Sequence, residues 1–178
     1  MSIKEHIISQ HIIIFEGHDG SGKTILSNAL SNYMLIPRFK YTQCEEHFAA
    51  KYDFLLRTYF DQSMFIEFLE QTGYSIILDR CYPSEWVYSK VFARPMDEIF
   101  LDELDKKYAK LKPKIIVCEK KNFIGEFKDD YIKISEIVSI KNCYRRFINF
   151  TECETLLLDT TKQDLDGDIK KIIKFIGE

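Results

Sequence analysis

The sequence predicts an α/β fold, in which a five-stranded parallel sheet flanked by helices forms three layers. Five short apolar runs, rich in β-branched residues, alternate with longer segments whose apolar residues recur at helical spacing. Strands that alternate with helices are typical of a parallel sheet. The 178 residues are enough for one domain with a full hydrophobic core, so we expect a single domain over residues 1–178.

The strands are predicted at residues 11–15, 35–41, 74–78, 114–118 and 155–158. The helices are predicted at residues 23–33, 45–71 (as one helix or two), 83–89, 97–109, 131–148 and from Asp164 or Asp166 onward. Pro83 suits a first helical turn because its missing N–H costs nothing there. Gly73 is placed to end a helix, and Asp97 to cap the start of one.

Composition narrows the class of protein. A net charge of -3 argues against a protein that binds nucleic acid through bulk charge. No apolar run approaches the ~20 residues that span a bilayer, and the polar first residues do not resemble a secretory signal, so we expect a cytoplasmic protein.

Five cysteines without a CxxC pair suit reduced thiols, and Cys118 is predicted to lie in the core. The four histidines form no HxxxH pair, so a histidine metal site is not expected.

A phosphate-binding loop follows the first predicted strand. The pattern GxxxxGK[ST] is matched between that strand and a helix, which is the context this motif requires. Glycines let the chain wrap around phosphate oxygens, and backbone N–H groups at a helix N-terminus bind anions. A lysine here reaches the β- and γ-phosphates, and a threonine can ligate Mg²⁺. The predicted nucleotide-binding residues are Gly17, His18, Asp19, Gly20, Ser21, Gly22, Lys23 and Thr24.

Asp19 is unusual in such a loop, because a carboxylate beside phosphates is unfavourable unless it binds another group. It could accept a hydrogen bond from a sugar hydroxyl of the second substrate, or it could be a solvent-facing turn residue. His18 is interpreted as incidental rather than catalytic.

The motifs together resemble the thymidylate kinase family of nucleoside monophosphate kinases and the related deoxynucleoside kinases. The resemblance rests on residues 15–24, on Leu78-Asp79-Arg80 at a strand end, and on Ser84, Val87 and Tyr88. Its order and spacing extend over nearly the whole chain, although only the phosphate loop and Asp79-Arg80 are specific. The resemblance implies a P-loop NTPase fold, ATP as phosphate donor, Mg²⁺, a nucleotide substrate and a homodimer.

The resemblance also implies roles for single residues. Asp19 would contact the 3′-hydroxyl of an acceptor deoxyribose, and Arg80 would bind the acceptor phosphate through its guanidinium fork. Asp79 would organise Mg²⁺ together with Thr24, or act as the base for the hydroxyl of a nucleoside acceptor. An ordinary ion pair at a strand end remains the alternative for Asp79 and Arg80. Lys23, Asp79 and Arg80 are the predicted catalytic residues.

The predicted substrate-binding residues are Asp19, Arg57, Arg80, Ser84 and Tyr88. Arg57 stands about where the family places an arginine that grips the monophosphate, but a solvated helix arginine is equally consistent. Four aromatic residues could stack on the acceptor base or belong to the core: Phe54, Tyr59, Tyr82 and Trp86.

Three departures from the family concern the acceptor and the transfer step. No arginine follows the second predicted strand, and the nearest, Arg38, lies inside it. Neither the phosphate loop nor a short lid predicted around residues 120–130 holds an arginine, so Lys120, Lys121 or Lys128 would supply the extra charge. Glu85 and Trp86 stand where smaller residues are usual near the base, so the acceptor need not be plain dTMP.

The leading hypothesis is therefore phosphoryl transfer from ATP to a deoxynucleoside monophosphate, with dTMP or a related pyrimidine expected. Two alternatives stay open. One is a kinase acting on a deoxynucleoside or on a modified base in DNA. The other is an ATP-binding regulator that transfers no phosphoryl group.

Overall fold

A computed structural model describes residues 10–40, 51–94, 97–121 and 134–178, with the side chains of residues 51–59 left out. Its strands are β1 (Ile12–Gly17), β2 (Arg38–Lys40), β3 (Ile76–Asp79), β4 (Lys114–Glu119) and β5 (Glu154–Asp159). Its helices are α1 (Lys23–Met34), α2 (Lys51–Thr72), α3 (Tyr82–Val91), α4 (Glu98–Lys110), α5 (Ile134–Phe150) and α6 (Leu165–Ile176).

The five strands form one parallel sheet in the order β2-β3-β1-β4-β5, which confirms the predicted fold class. Successive residues of β1 point to opposite faces, so both faces of this strand are covered and all six of its residues are buried. Ile12 and Ile14 belong to one core cluster, with residues of α3, α4 and α5. Ile13 and Phe15 belong to the other, with residues of α1 and α6.

Two helices begin at the capping residues that the sequence predicts. The side chain of Asp97 accepts hydrogen bonds from the N–H groups of Ile99 and Phe100 and caps α4. Of the two candidates for the last helix, Asp164 is the cap. Cys118 is 1% exposed and lies in the core, as predicted.

The second strand is the main departure from the predicted element bounds. It contains three residues rather than seven, because Leu35 takes a left-handed conformation at the end of α1 and cannot start a strand. Residues 122–130 of the predicted lid and the start of the predicted helix at 45 fall outside the described ranges. Among the described residues, no helix is long and apolar enough to cross a membrane.

Candidate active site

The phosphate loop connects β1 to α1 at the carboxyl edge of the sheet. Gly17, Gly20 and Gly22 all have positive φ, at 133°, 76° and 84°. A Cβ on Gly17 would lie 2.2 Å from the carbonyl oxygen of Cys118 in β4, so the sheet leaves room only for glycine there. The loop then enters α1 at Lys23, where the first N–H groups of the helix can bind an anion.

Lys23 is held inside this loop. Its Nζ donates a hydrogen bond to the carbonyl oxygen of His18 at 2.7 Å and lies 3.5 Å from Oγ of Ser21. Burial, followed by the charge of Arg80, lowers the pKa of Lys23 to about 8. A phosphate group placed beside Lys23 would favour its charged form, which is the form that stabilises a phosphoryl group.

His18 has a structural position in the loop. Its Nδ1 lies 2.7 Å from the carbonyl oxygen of Asp19, and its Nε2 accepts a hydrogen bond from the N–H of Lys120 at 3.1 Å. Burial is the main cause that lowers its pKa, so the ring is neutral near pH 7 with its proton on Nδ1. His18 therefore connects the phosphate loop to the end of β4, consistent with a non-catalytic role.

Thr24 and Asp79 lie together beside the loop. Oγ1 of Thr24 donates a hydrogen bond to Oδ2 of Asp79 at 2.8 Å, and the guanidinium of Arg38 contacts the same carboxylate oxygen. Nε of Arg38 also donates to Oγ of Ser27 at 2.8 Å. A hydroxyl and a carboxylate next to a phosphate site suit Mg²⁺, which takes few protein ligands and completes its shell with substrate phosphates and water. Thr24 can donate its proton to Asp79 and still offer a lone pair to the ion.

Asp19 and Arg80 form the second half of the site. NH2 of Arg80 lies 2.5 Å from Oδ1 of Asp19, and the hydroxyl of Tyr88 donates to Oδ2 at 3.1 Å. The guanidinium also lies 5.0 Å from the ring centre of Tyr88, within cation–π range. Burial alone would raise the pKa of Asp19, but Arg80, Lys23 and the Tyr88 hydroxyl together lower it, so the carboxylate stays charged.

Arg80 is fixed by the residues behind it. Its backbone has a φ of 73°, an uncommon conformation for a residue other than glycine, and its N–H donates to the carbonyl oxygen of Phe15 at 2.9 Å. NH1 of Arg80 donates to Oγ of Ser84 at 3.2 Å, and Ser84 in turn donates to Oε2 of Glu16 at 2.7 Å. Glu16 is fully buried and also accepts a hydrogen bond from Tyr144 at 2.8 Å. These bonds orient the guanidinium towards the edge of the sheet.

Three cavities of about 310–330 Å³ adjoin this constellation. The first lies beside the loop, is walled by Ile25, Leu26, Thr160 and Leu165, and has the size for a nucleoside. The second is walled by Phe39, Asp61, Gln62, Phe65, Leu78, Arg80 and Cys81. The third joins them and contains the charged side chains of Asp19, Lys23, Lys40, Asp79 and Arg80. We name them the donor, acceptor and phosphate cavities in that order.

Solved structures share this arrangement of strands and helices. YorR from Bacillus subtilis, in complex with phosphorylated GDP, is 24% identical, with 93% of this chain and 95% of that chain covered and a TM-score of 0.72. A thymidylate kinase from Ehrlichia chaffeensis is 14% identical over 93% and 98% of the two chains, with a TM-score of 0.63. A deoxyadenosine kinase from M. mycoides with bound dATP is 16% identical over 93% and 99%, with a TM-score of 0.65.

The chain has the fold of the P-loop nucleotide kinases. The predicted resemblance is thus confirmed at the level of the fold, over nearly the full length of these structures. No protein-family model matches the sequence, and neither does a curated protein.

The kinase fold brings most of the predicted site residues together. Lys23, Thr24, Asp79, Asp19 and Arg80 all line the phosphate cavity, and Tyr88 contacts two of them. Ser84 instead lies behind Arg80, where it is buried and bonded to Glu16. Two more predicted site residues cannot be placed. The side chain of Arg57, a predicted substrate-binding residue, and the predicted lid lysine Lys128 lie outside the described residues.

Two predicted lid lysines have contacts of their own. Lys120 is 8% exposed and its backbone is bonded to His18. Nζ of Lys121 lies 2.6 Å from Oδ2 of Asp159 at the end of β5. Their share in charge neutralisation stays a prediction.

Two of the four candidate stacking residues belong to the core. Tyr82 donates a hydrogen bond to Asp105 and stacks on Tyr108, and Trp86 packs against Phe147. The side chains of the other two candidates, Phe54 and Tyr59, lie outside the described part of the chain. The aromatic walls of the acceptor cavity are other residues, namely Phe39 and Phe65.

Sequence reasoning missed the contribution of β2 to the candidate site. Lys40 pairs in register with Asp79, so β2 brings Lys40 to the phosphate cavity and Arg38 to Asp79. The available signal was two basic residues near the end of a predicted strand, at the edge where ligands bind in such sheets.

Proposed function

We propose that this chain is a phosphotransferase that moves the γ-phosphoryl group of ATP to the phosphate of a deoxynucleoside monophosphate. The observation that carries the proposal is the position of Arg80. Arg80 borders both the phosphate cavity and the acceptor cavity, and its guanidinium lies against Asp19 and Tyr88. A substrate in the acceptor cavity would therefore meet a guanidinium fork where its own phosphate has to lie.

The donor would bind with its base and ribose in the donor cavity and its phosphates in the loop. Backbone N–H groups at the start of α1 and the ammonium of Lys23 would hold the β- and γ-phosphates. Thr24 and Asp79 would hold Mg²⁺, which would supply neutralisation of phosphate charge when it is bound.

Transfer would then need positioning and positive charge rather than covalent catalysis. An oxygen of the acceptor phosphate forms a new bond to the γ-phosphorus, and the bond to the ADP oxygen breaks. Lys23 and Arg80 both line the phosphate cavity, where negative charge would be spread over the transferring group. Asp19 would accept a hydrogen bond from the 3′-hydroxyl of the deoxyribose.

One feature favours a monophosphate over a nucleoside as the acceptor. The end of β2 presents Lys40 at the phosphate cavity, an exposed cation that suits an acceptor already carrying a phosphate. A nucleoside acceptor would instead need a carboxylate as the base for its hydroxyl.

The test is ADP release with Mg-ATP and a panel of acceptors: the four deoxynucleoside monophosphates, the matching deoxynucleosides and duplex DNA. We expect turnover with at least one monophosphate and background release with the nucleosides and the DNA. Turnover confined to nucleosides or DNA would support the alternative kinases instead. Tight ATP binding without turnover on any acceptor would support a regulator.

Lys40→Gln should raise the KM for the monophosphate about tenfold, equivalent to about 1.4 kcal/mol, with kcat changed little. The reason is that Lys40 would contact the acceptor phosphate in the ground state and in the transition state alike. Steady-state kinetics with varied acceptor measure this, and Lys110→Gln, an exposed lysine at the end of α4, is the matched control. A normal KM in the Lys40 variant would remove this residue from the site.

A further inference from the structure

Gln62 in α2 has an amide group whose two ends differ in their surroundings. The residue is 4% exposed and forms part of the wall of the acceptor cavity. Its Oε1 accepts hydrogen bonds from the hydroxyl of Tyr108 at 2.6 Å and from Sγ of Cys81 at 3.2 Å. Its Nε2 has no hydrogen-bond partner in the described part of the chain, but unlike Oε2 of Glu85 it is not sealed from solvent. The amide therefore keeps unused N–H donors at its open end.

Buried groups fix the orientation of this amide. Tyr108 lies in the core, and its hydroxyl accepts a hydrogen bond from Sγ of Cys81 at 3.1 Å while it donates its own proton to Gln62. Burial raises the pKa of the Cys81 thiol to about 12, so the thiol keeps its proton. A reversed amide would turn its N–H groups towards two groups that already donate, which is unfavourable in the interior. The oxygen of Gln62 thus faces inward and the nitrogen faces outward.

The outward end of the amide meets the acceptor cavity in the part that lies away from the phosphates. Arg80 borders both the acceptor and the phosphate cavities, whereas Gln62 borders the acceptor cavity and is not a wall of the other. The polar walls of the acceptor cavity besides Arg80 are Gln62, which is buried, and Asp61, which is exposed. Phe39 and Phe65 are suited to the faces of an aromatic ring. A base between such walls would present its edge to a polar group, and Gln62 is held ready for that contact.

We infer that Gln62 reads the base of the acceptor as a hydrogen-bond donor, and that Tyr108 is the positioning residue that keeps it so. The inference rests on the proposed function and adds the residue that senses the base. At the edge of the base away from the sugar, thymine, uracil and guanine carry a carbonyl oxygen, which can accept from Nε2. Cytosine and adenine carry an amino group at that position, which would set donor against donor and leave both unpaired. The acceptor cavity should therefore favour keto bases.

The experiment measures the Kd of five deoxynucleoside monophosphates by titration calorimetry with the full chain: dTMP, dUMP, dGMP, dCMP and dAMP. We expect the wild type to bind at least one keto monophosphate about tenfold or more tightly than dCMP and dAMP. Gln62→Met keeps the length of the side chain but removes the N–H donors, and should weaken binding of that monophosphate about tenfold. Binding of 2-deoxyribose 5-phosphate, which has the sugar and the phosphate without a base, should be unchanged in this variant.

Tyr108→Phe tests the positioning role from outside the cavity. Without the hydroxyl, the amide of Gln62 can turn its oxygen outward, so the preference for keto over amino bases should fall by about threefold or more. Tyr82→Phe is the matched control, because Tyr82 is a buried tyrosine stacked on Tyr108 whose hydroxyl bonds to Asp105 instead. A general loss of stability would affect both variants, but a change in base preference is expected only for Tyr108→Phe.

Three outcomes would overturn the inference. One is a wild type that binds dCMP or dAMP most tightly, and another is an equal loss of the base-free phosphate and the monophosphates in folded Gln62→Met. The third is an unchanged base preference in folded Tyr108→Phe. The proposed function fails separately, through background ADP release by the wild type with all of the monophosphates, whereas the role of Gln62 is decided by the binding measurements.

Discussion

Replacing Lys23 by alanine should reduce the turnover of ATP by about 10³-fold, equivalent to about 4 kcal/mol of transition-state stabilisation. Lys23 is 6% exposed, lies in the phosphate cavity, and donates to the loop carbonyl of His18 rather than to a carboxylate. Its charge is therefore available to the transferring phosphoryl group. The effect should fall mainly on kcat, because Lys23 would stabilise the phosphoryl group more strongly in the transition state than in bound ATP.

ADP release at saturating ATP and acceptor measures this effect. Lys106→Ala provides a matched control, since Lys106 is an exposed lysine of α4 paired with Asp102 at 2.6 Å, far along the chain from the loop. Urea unfolding of both variants separates lost catalysis from lost stability. Full turnover by a folded Lys23 variant would contradict the phosphate-binding role of the loop.

The phosphate loop could be predicted because its chemistry is local. Glycines, a lysine and a threonine at fixed spacing between a strand and a helix determine the backbone and the charge within eight residues. The place of Asp79 and Arg80 in the site could be predicted equally well, because the carboxyl ends of all parallel strands lie at the same edge of the sheet. Even so, the ion pair of Arg80 with Asp19 joins residues 61 positions apart, and only the strand order shows that they meet.

The contribution of β2 could not be predicted in the same way. A three-residue edge strand has too short a pattern to define its bounds, and Lys40 reaches Asp79 only through the register of β2 on β3. The sequence shows that no arginine follows this strand, but it does not show where the two cations at its end point. Arg38 and Lys40 show how a site can obtain charge from the strand itself.

The residues that form the walls of the acceptor cavity could not be predicted from the sequence either. Phe65 and Gln62 lie on α2, where a helical pattern cannot separate a residue that faces a cavity from one that faces the core. Tyr82 and Trp86 follow the Asp79-Arg80 pair within six residues, which predicts a place near the base, yet α3 turns both into the core against Tyr108 and Phe147. The direction of a side chain around a helix decides this, and it depends on how α3 packs on α5.

Replacing Glu85 by glutamine should stabilise the free protein, and the gain should grow with pH. The pKa of Glu85 is raised from 4.5 to about 7, chiefly by burial and further by Glu16, while Arg94 and Arg80 lower it. A carboxyl whose pKa is raised on folding contributes its full stability below pH 4.5. That contribution is lost as the pH rises through about 7. The wild type therefore bears the full cost of the buried charge at pH 8, on the order of 3 kcal/mol.

Glutamine has no charge to bury, so the free energy of unfolding of the variant should exceed that of the wild type by about 2 kcal/mol more at pH 8 than at pH 5. Urea unfolding without nucleotide at both pH values measures the difference, with Glu67→Gln on the exposed side of α2 as the control. Identical pH dependence in wild type and variant would mean that Oε2 of Glu85 is solvated or bonded in solution.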